Sequence, residues 1–212
     1  MKQQRTCGEA LTALLEAYGV DTVFGIPGVH TIELYRGFKD ANIQHITPRH
    51  EQGAGFMADG YARASGKAGV VLAGQNGPGA TNLVTGLAQA KAAYSPVVSI
   101  AGALSSGHVY RDAFQEVDQQ ALFVPITKKT WTVPSTDRVP EIFREAFRTA
   151  LTPRRGPVQV NLPRDVLSGQ AEFDSEPQPQ QYRNMSLPKA DDEQIEKIKI
   201  IVLLIKKIEL KN

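Results

Sequence analysis

Apolar residues follow two alternating patterns along most of the chain, and together they predict its elements. Helical spacing with one apolar stripe is clearest at 10–18 and 139–151. Short apolar runs rich in β-branched residues indicate strands at 20–26, 43–47, 69–74, 97–101 and 157–163, with a further candidate at 126–133. Strands that alternate with helices predict an α/β fold, a parallel sheet flanked by helices on both faces.

Local signals mark where the helices begin and end. Thr6 with Glu9 three residues later is a capping box, and Gly19 ends the helix that it opens. Further helices are predicted at 31–38 and 83–94. In such folds ligands bind at the carboxyl ends of the strands. Three features are predicted to meet there, listed as Pro27-Gly28, Glu51 and the turn Gly77-Pro78-Gly79.

A helix of small residues follows Glu51 and ends at Gly66. Each glycine within a helix costs about 1 kcal/mol relative to alanine, which suggests that a backbone or a flat ligand approaches closely. The small residues are Gly53, Ala54, Gly55, Ala58, Gly60 and Ala62. Glu51 lies in the first turn, where the helix dipole favours a carboxylate, so a simpler interpretation is that Glu51 only caps the helix.

Composition and charge narrow the function classes. The net charge of only +2 does not indicate a protein that binds nucleic acid. The single cysteine, Cys7, excludes an internal disulfide framework and fits a reducing cytosol, so a cytoplasmic protein is expected. The four histidines lack metal-ligand spacing, so we expect no metal site built by this chain. Neither a signal peptide nor a membrane span is predicted, since lysines interrupt the short apolar run at 198–210.

A second interpretation of the glycine-rich turn is nucleotide binding. Gly74-x-x-Gly77-x-Gly79 lies between a strand and a helix, as dinucleotide-binding turns do. Its spacing differs from Gly-x-Gly-x-x-Gly, and no acidic residue ends the next strand to hold a ribose.

The long polar segment 102–118 is expected to be functional, because structureless loops of such length are uncommon.

The composition changes after the last predicted strand. We predict a domain at 1–168, a linker rich in Gln, Pro, Ser and Glu at 169–190, and a helical tail at 191–212. The tail fits either the first helix of a further domain or the product of an altered coding sequence.

Five motifs stand in the order found in thiamine-diphosphate enzymes of the acetolactate synthase group. The chain resembles the N-terminal, pyrimidine-binding domain of that family over about residues 6–170. The motifs are Gly25-Ile26-Pro27-Gly28, Arg49-His50-Glu51-Gln52-Gly53-Ala54, Ala58-Asp59-Gly60-Tyr61-Ala62-Arg63, Gly77-Pro78-Gly79-Ala80-Thr81-Asn82 and Asp112-Ala113-Phe114-Gln115-Glu116.

The resemblance implies a role for one carboxylate. In the family a glutamate hydrogen-bonds a pyrimidine nitrogen of the cofactor and favours the imino tautomer that accepts the thiazolium C2 proton. Glu51 matches that glutamate, and a carboxylate in a poorly hydrated cleft shares such a proton readily near neutrality. By similarity, the pyrimidine pocket is lined by Pro27, Gly28, Pro78 and Asn82.

The substrate side differs from the acetolactate synthase pattern. By similarity Phe114 and Gln115 face the substrate or reach the partner's active site. A second glycine usually follows the Pro-Gly pair, whereas Val29 and His30 stand here at the position that faces the substrate. The resemblance therefore implies a 2-oxo-acid decarboxylase or carboligase without identifying which 2-oxo acid it uses.

The resemblance also implies what other parts of the protein supply. The family holds the diphosphate through Mg²⁺ bound by a C-terminal domain with a Gly-Asp-Gly motif, which is absent from these 212 residues. A homodimer or tetramer formed through this domain is expected, the chain alone is expected to be inactive, and FAD use is left open. The alternatives are a non-catalytic homologue that serves dimerisation and a nucleotide-binding α/β domain.

Overall fold

The structure, a computed structural model, describes residues 2–179 and 191–209. These form two separate units, the first within 2–179 and the second consisting of a single helix. Strands in the described residues are β1 (Lys2–Thr6), β2 (Thr22–Ile26), β3 (Gln44–Ile46), β4 (Gly69–Ala73), β5 (Val97–Ala103), β6 (Thr130–Thr132), β7 (Val158–Pro163) and β8 (Gln170–Asp174).

Helices flank these strands. They are α1 (Cys7–Ala17), α2 (Ile32–Gly37), α3 (Glu51–Ser65), α4 (Pro78–Thr81), α5 (Val84–Ala92), α6 (Gln119–Phe123), α7 (Val139–Leu151), α8 (Arg164–Ser168) and α9 (Asp192–Glu209). The capping box at Thr6 is confirmed, because the Thr6 side chain accepts from Glu9 N and the Glu9 carboxylate accepts from Thr6 N. Gly66 ends α3 with a left-handed φ of 72°, as predicted.

Six strands form one parallel sheet in the order β3-β2-β4-β5-β7-β6. Successive residues of β4 point to opposite faces, so Val70 and Leu72 pack in one apolar cluster and Val71 and Ala73 in another. The first cluster contains residues of α1, α2, α7 and α8, and the second contains residues of α3, α5 and α6. The predicted α/β fold with helices on both faces is confirmed.

Close backbone approach explains part of the small-residue composition of α3. A Cβ atom at Gly86 of α5 would lie 2.8 Å from the Cα of Gly55, closer than such atoms pack. Further along α3, the Ala58 carbonyl lies against Gly69 of β4. A Cβ atom at Gly69 would come within 2.1 Å of the Ala58 oxygen. A Cβ atom at Gly60 would have no neighbour within 4 Å, so no contact within the described residues requires that glycine.

Several segments differ from the prediction, and β1, α6 and α8 are among the elements that were not predicted. Residues 170–174, within the range predicted as linker, form β8, which pairs antiparallel with β1. This strand escaped detection because it is short and only Phe173 is buried, which leaves a weak apolar signal. The candidate strand at 126–133 is shorter than expected, since only Thr130–Thr132 joins the sheet. Residues 192–209 of the predicted tail form α9, whereas residues 180–190 of the predicted linker and residues 210–212 lie outside the described part.

Helix α9 has a side-chain cap at its first turn. The Asp191 carboxylate accepts a hydrogen bond from Gln194 N at 2.8 Å, so it caps α9. In the part of the chain that the structure describes, no helix combines the length and apolar character needed to cross a membrane.

Candidate functional site

Two chain segments meet without intervening side chains at the carboxyl ends of β2 and β4. A Cβ atom at Gly28 would lie 2.4 Å from the carbonyl carbon of Gly74, so only glycine permits this contact. His30 N donates to the Gly74 carbonyl oxygen at 3.2 Å and joins the two segments. The Pro27-Gly28 corner thus has a fixed position beside the glycine-rich turn that follows β4.

Glu51 is buried at the first residue of α3, with 9% of its surface exposed. Asn82 Nδ2 donates to Glu51 Oε2 at 2.9 Å, which joins two residues that are 31 positions apart. The side-chain cap of α3 is made by His50, whose Nδ1 accepts from Gln52 N at 3.1 Å. The interpretation of Glu51 as only a helix cap is therefore incomplete, because its carboxylate engages a second element.

The second carboxylate oxygen of Glu51, Oε1, lies beside Gly79, where an added Cβ atom would come within 2.9 Å of Gln75 Cβ. A Cβ atom at Gly79 would lie 3.6 Å from Glu51 Oε1. Within residues 2–179, no hydrogen bond to Oε1 accompanies the bond that Oε2 receives. Oε1, at the positive end of a helix dipole, is thus left available for a hydrogen-bond donor.

The turn after β4 is held from two sides. Gly77 has a φ of 61°, a left-handed conformation that favours glycine, and its N–H donates to Gln119 Oε1 at 3.3 Å. A Cβ atom at Gly77 would lie 2.4 Å from the Gln115 carbonyl oxygen, so the loop containing Gln115 packs directly on the turn. Pro78 follows as the first residue of α4, and its surface is exposed.

The hydrogen bonds around His30 indicate its tautomer. His30 is buried, and its Nδ1 lies 3.0 Å from Gln75 Oε1 and 3.3 Å from Asn76 N. Nδ1 cannot donate to the Gln75 oxygen and accept from the Asn76 N–H at once. Because the buried Asn76 N–H needs an acceptor, we assign Nδ1 as that acceptor and the proton to Nε2.

A tightly wound loop presents aromatic side chains beside the turn. Tyr110, Asp112 and Gln115 all have left-handed φ values, of 63°, 50° and 62°. Phe114 is 82% exposed, and the Gln115 carbonyl accepts from Asn76 Nδ2. The Glu116 carboxylate accepts from Tyr110 N at 2.6 Å and from Ala113 N at 3.0 Å, and these hydrogen bonds lower its pKa below the ordinary glutamate value.

The Glu116 hydrogen bonds make the loop sensitive to pH. Because the Glu116 pKa is lower in the folded protein, its carboxylate stabilises the loop above the unfolded-state pKa, and this stabilisation is lost as the pH falls through the folded value. In an NMR titration we expect the Glu116 carboxyl carbon and the Tyr110 and Ala113 amide protons to change together, at a pH below the ordinary pKa of a glutamate.

Glu116→Gln should abolish that common titration, and the exposed β8 variant Glu172→Gln should leave it intact. Independent midpoints for the amide protons and the carboxyl carbon would contradict the assignment.

The predicted site residues differ in how closely the structure brings them together. The structure brings Glu51 and Asn82 into contact. Val29 is 48% exposed next to the buried His30, and the remaining predicted residues lie on segments that follow β2, β4 and β5, listed as Pro27, Gly28, Pro78, Phe114 and Gln115.

Sequence reasoning identified His50 as adjoining the site, but it missed other residues around it, namely Gln75, Asn76, Gln119 and Asn161. Gln75 and Asn76 stand inside the glycine-rich turn, which was the available signal, whereas nothing local marks Gln119. No group of three or more His, Cys, Asp or Glu side chains in residues 2–179 and 191–209 is arranged to hold a metal ion.

Comparisons with known proteins agree on one family. The family model described as thiamine pyrophosphate enzyme, N-terminal TPP binding domain, matches residues 5–122. The chain is 46% identical over 81% of its length to a probable acetolactate synthase large subunit of Methanocaldococcus jannaschii. It is 48% identical over 72% of its length to the acetolactate synthase isozyme 2 large subunit of Escherichia coli.

A further relative carries a different name. The chain is 45% identical over 80% of its length to a probable 2-ketoarginine decarboxylase of Pseudomonas aeruginosa. It spans between 28% and 31% of the length of these three relatives. The family model covers more than half of the chain. The matched range includes Glu51 and Asn82, the contact of Gly28 with Gly74, and the contact of Gly77 with Gln115. The chain belongs to the thiamine pyrophosphate enzyme family, as an acetolactate synthase-like N-terminal TPP binding domain.

Proposed function

We propose that this chain is the pyrimidine-binding part of a thiamine-diphosphate-dependent 2-oxo-acid decarboxylase or carboligase. The observation that carries the proposal is the Glu51 carboxylate, buried at the start of α3, with one oxygen bonded to Asn82 and the other beside Gly79. The family and the relatives' names support the reaction class.

The residues around Glu51 fit an aminopyrimidine ring. Oε1 offers an acceptor for a ring N–H, and the missing side chain at Gly79 leaves space next to it. In this proposal Glu51 holds the proton at a ring nitrogen, and Asn82 orients the carboxylate by its bond to Oε2. The remaining pocket walls are Pro27, Gly28 and Pro78. When bound, thiamine diphosphate supplies a thiazolium carbon that acts as a nucleophile toward a 2-oxo-acid carbonyl.

We assign the substrate side to Val29, His30, Phe114 and Gln115. His30 would offer its Nε2–H as a donor to a substrate oxygen, because its Nδ1 is occupied by the Asn76 N–H. Val29 and Phe114 expose apolar surface. The relatives are named for reactions on different 2-oxo acids, so the proposal extends to the reaction class and to a small-molecule 2-oxo acid.

The proposal includes partners outside this chain. Mg²⁺ and the diphosphate would be held by a further domain, and the active site would be completed in a homodimer or tetramer. FAD use is left open. The single, buried Cys7 supports a cytoplasmic location.

Calorimetry tests the proposal. The chain is titrated with thiamine diphosphate and Mg²⁺, alone and with a diphosphate-binding domain from an acetolactate synthase relative. We expect saturable binding in the complemented sample and weaker or unmeasurable binding to the chain alone, because the proposed diphosphate anchor is supplied by the added domain.

Two results would favour the alternative functions. Binding of NAD or FMN by the isolated chain would favour the nucleotide-binding alternative. Self-association without thiamine diphosphate binding in the complemented sample would favour a homologue that serves dimerisation only.

A further inference from the structure

A chain of buried side-chain amides connects the sheet to the glycine-rich turn. Gln119, the first residue of α6, is 4% exposed, and both ends of its amide are engaged. Its Oε1 accepts from Gly77 N at 3.3 Å, and its Nε2 donates to Asn161 Oδ1 at 3.0 Å. The hydrogen bond to Gly77 spans 42 positions of the sequence.

The neighbours of Asn161 determine which way the Gln119 amide points. Asn161 lies in β7 and is 1% exposed. Its Oδ1 also accepts from Gln159 Nε2 at 2.9 Å, and its Nδ2 lies 3.4 Å from Thr132 Oγ1. Since Oδ1 is an acceptor for both glutamines, Gln119 presents its NH₂ group to Asn161 and its carbonyl oxygen to Gly77. The network thus leaves one orientation for the acceptor that holds the turn.

Gly77 is the point at which this network meets the Glu51 site. Its left-handed φ and its contact with the Gln115 carbonyl set the direction in which the chain leaves the turn. That chain continues through Gly79, which lies next to Glu51 Oε1, to Asn82, which donates to Glu51 Oε2. Gly77 is buried, so its N–H has no water to replace the Gln119 oxygen.

We propose that Gln119 is a positioning residue for the Glu51 site, acting through the Gly77 N–H to keep Gly79 and Asn82 against the carboxylate. The geometric part stands on the described contacts alone, and its consequence for ligand binding rests on the proposed function. In this role Gln119 touches neither the ligand nor Glu51. It supplies the only side-chain acceptor that the described residues offer to the Gly77 N–H.

NMR on the 212-residue chain tests the geometric part. Gln119→Met preserves the length of the side chain and removes both hydrogen bonds. We expect amide exchange at Gly77 to accelerate at least about tenfold relative to the β4 amides, as loss of one buried hydrogen bond implies. The Asn82 side-chain amide resonances should shift at the same time. A folded variant with unchanged Gly77 exchange and Asn82 resonances would overturn the proposal.

Two control variants separate positioning from general stability. Gln120→Met removes the neighbouring glutamine, whose amide contacts Thr130 O and Thr132 Oγ1 rather than the turn. Gln159→Met removes a fully buried amide that reaches Asn161 but not Gly77, and the bond of Asn161 Nδ2 to Thr132 Oγ1 still keeps the Asn161 oxygen toward Gln119. Both should leave Gly77 protected. If either accelerates Gly77 exchange as much as Gln119→Met, Gln119 has only a structural role and the proposal fails.

A measurement on the unmodified chain covers the case in which Gln119→Met does not fold. A scalar coupling across the hydrogen bond, from Gly77 N to the Gln119 side-chain carbonyl carbon, should be observed, and its absence would overturn the proposal.

The consequence for ligand binding is tested by titrating thiamine diphosphate into the chain complemented with the diphosphate-binding domain of an acetolactate synthase relative. We expect Gln119→Met to weaken binding about tenfold, the factor that corresponds to loss of one hydrogen bond, and Gln120→Met to have no effect. Failure of the unmodified protein to bind contradicts the proposed function, whereas the Gly77 results stand independently. Unchanged affinity in Gln119→Met would overturn the positioning role.

Discussion

Glu51→Gln is expected to reduce turnover of the complemented protein by about 10²- to 10⁴-fold, the usual contribution of a positioned acid–base group. The substitution keeps the shape of the side chain and an oxygen that can accept from Asn82 Nδ2, so the domain should fold normally. It removes the charge that would hold a proton at the pyrimidine ring. Steady-state rates with a 2-oxo acid at saturating thiamine diphosphate measure the effect.

The matched control for Glu51→Gln is Glu9→Gln. Glu9 also lies in the first turn of a helix, where it accepts from Thr6 N at 2.9 Å, and glutamine serves equally in a capping box. Turnover by Glu9→Gln should equal that of the unmodified protein, and melting temperatures of both variants report on folding. Near-normal turnover by Glu51→Gln would remove the catalytic assignment.

Gly74→Ala should have the second large effect, on stability and on the site together. Its Cβ would lie 2.2 Å from Gly28 N, 2.4 Å from the Ile26 carbonyl oxygen and 2.5 Å from the Pro27 carbonyl carbon. All three are backbone atoms of the segment that leaves β2, so relief requires that segment to move. We expect a loss of about 3 kcal/mol in the free energy of unfolding, the upper part of the range for overpacking, measured by urea denaturation.

Gly107→Ala provides the control, since a Cβ atom there would have no neighbour within 4 Å. Its unfolding free energy should change by less than about 0.5 kcal/mol, as expected for a surface position. Gly28→Ala places the same clash on the opposite segment, 2.4 Å from the Gly74 carbonyl, and should resemble Gly74→Ala. Full stability of both glycine variants would show that the two segments do not pack as described.

Much of the fold was predictable because its signals are local. Residues 139–151 were predicted from one apolar stripe and form α7 with the same bounds. The strand at 170–174 was not predicted, because its pairing with β1 joins Lys2 to Asp174 across nearly the whole domain and only Phe173 carries an apolar signal. Strand pairing at that separation leaves little trace in nearby residues.

The candidate site also combines residues that the sequence identifies with contacts that only the structure shows. The resemblance identified Glu51 and Asn82, and the structure adds the 2.9 Å hydrogen bond between them. Gln119 carries no recognisable motif, and its importance becomes visible only when the Gly77 N–H is found to point at its oxygen.

By itself the sequence determined most of the elements, the ends of the helices at Thr6 and Gly66, the α/β class and, through motif order, the family. These depend on spacing and on interactions between residues a few positions apart, such as Thr6 with Glu9. Only the tertiary structure decided the strand order, the contact of Gly28 with Gly74, and the link from Gln119 to Gly77. Those contacts join residues more than 40 positions apart, and they form only where the sheet brings the ends of different strands together.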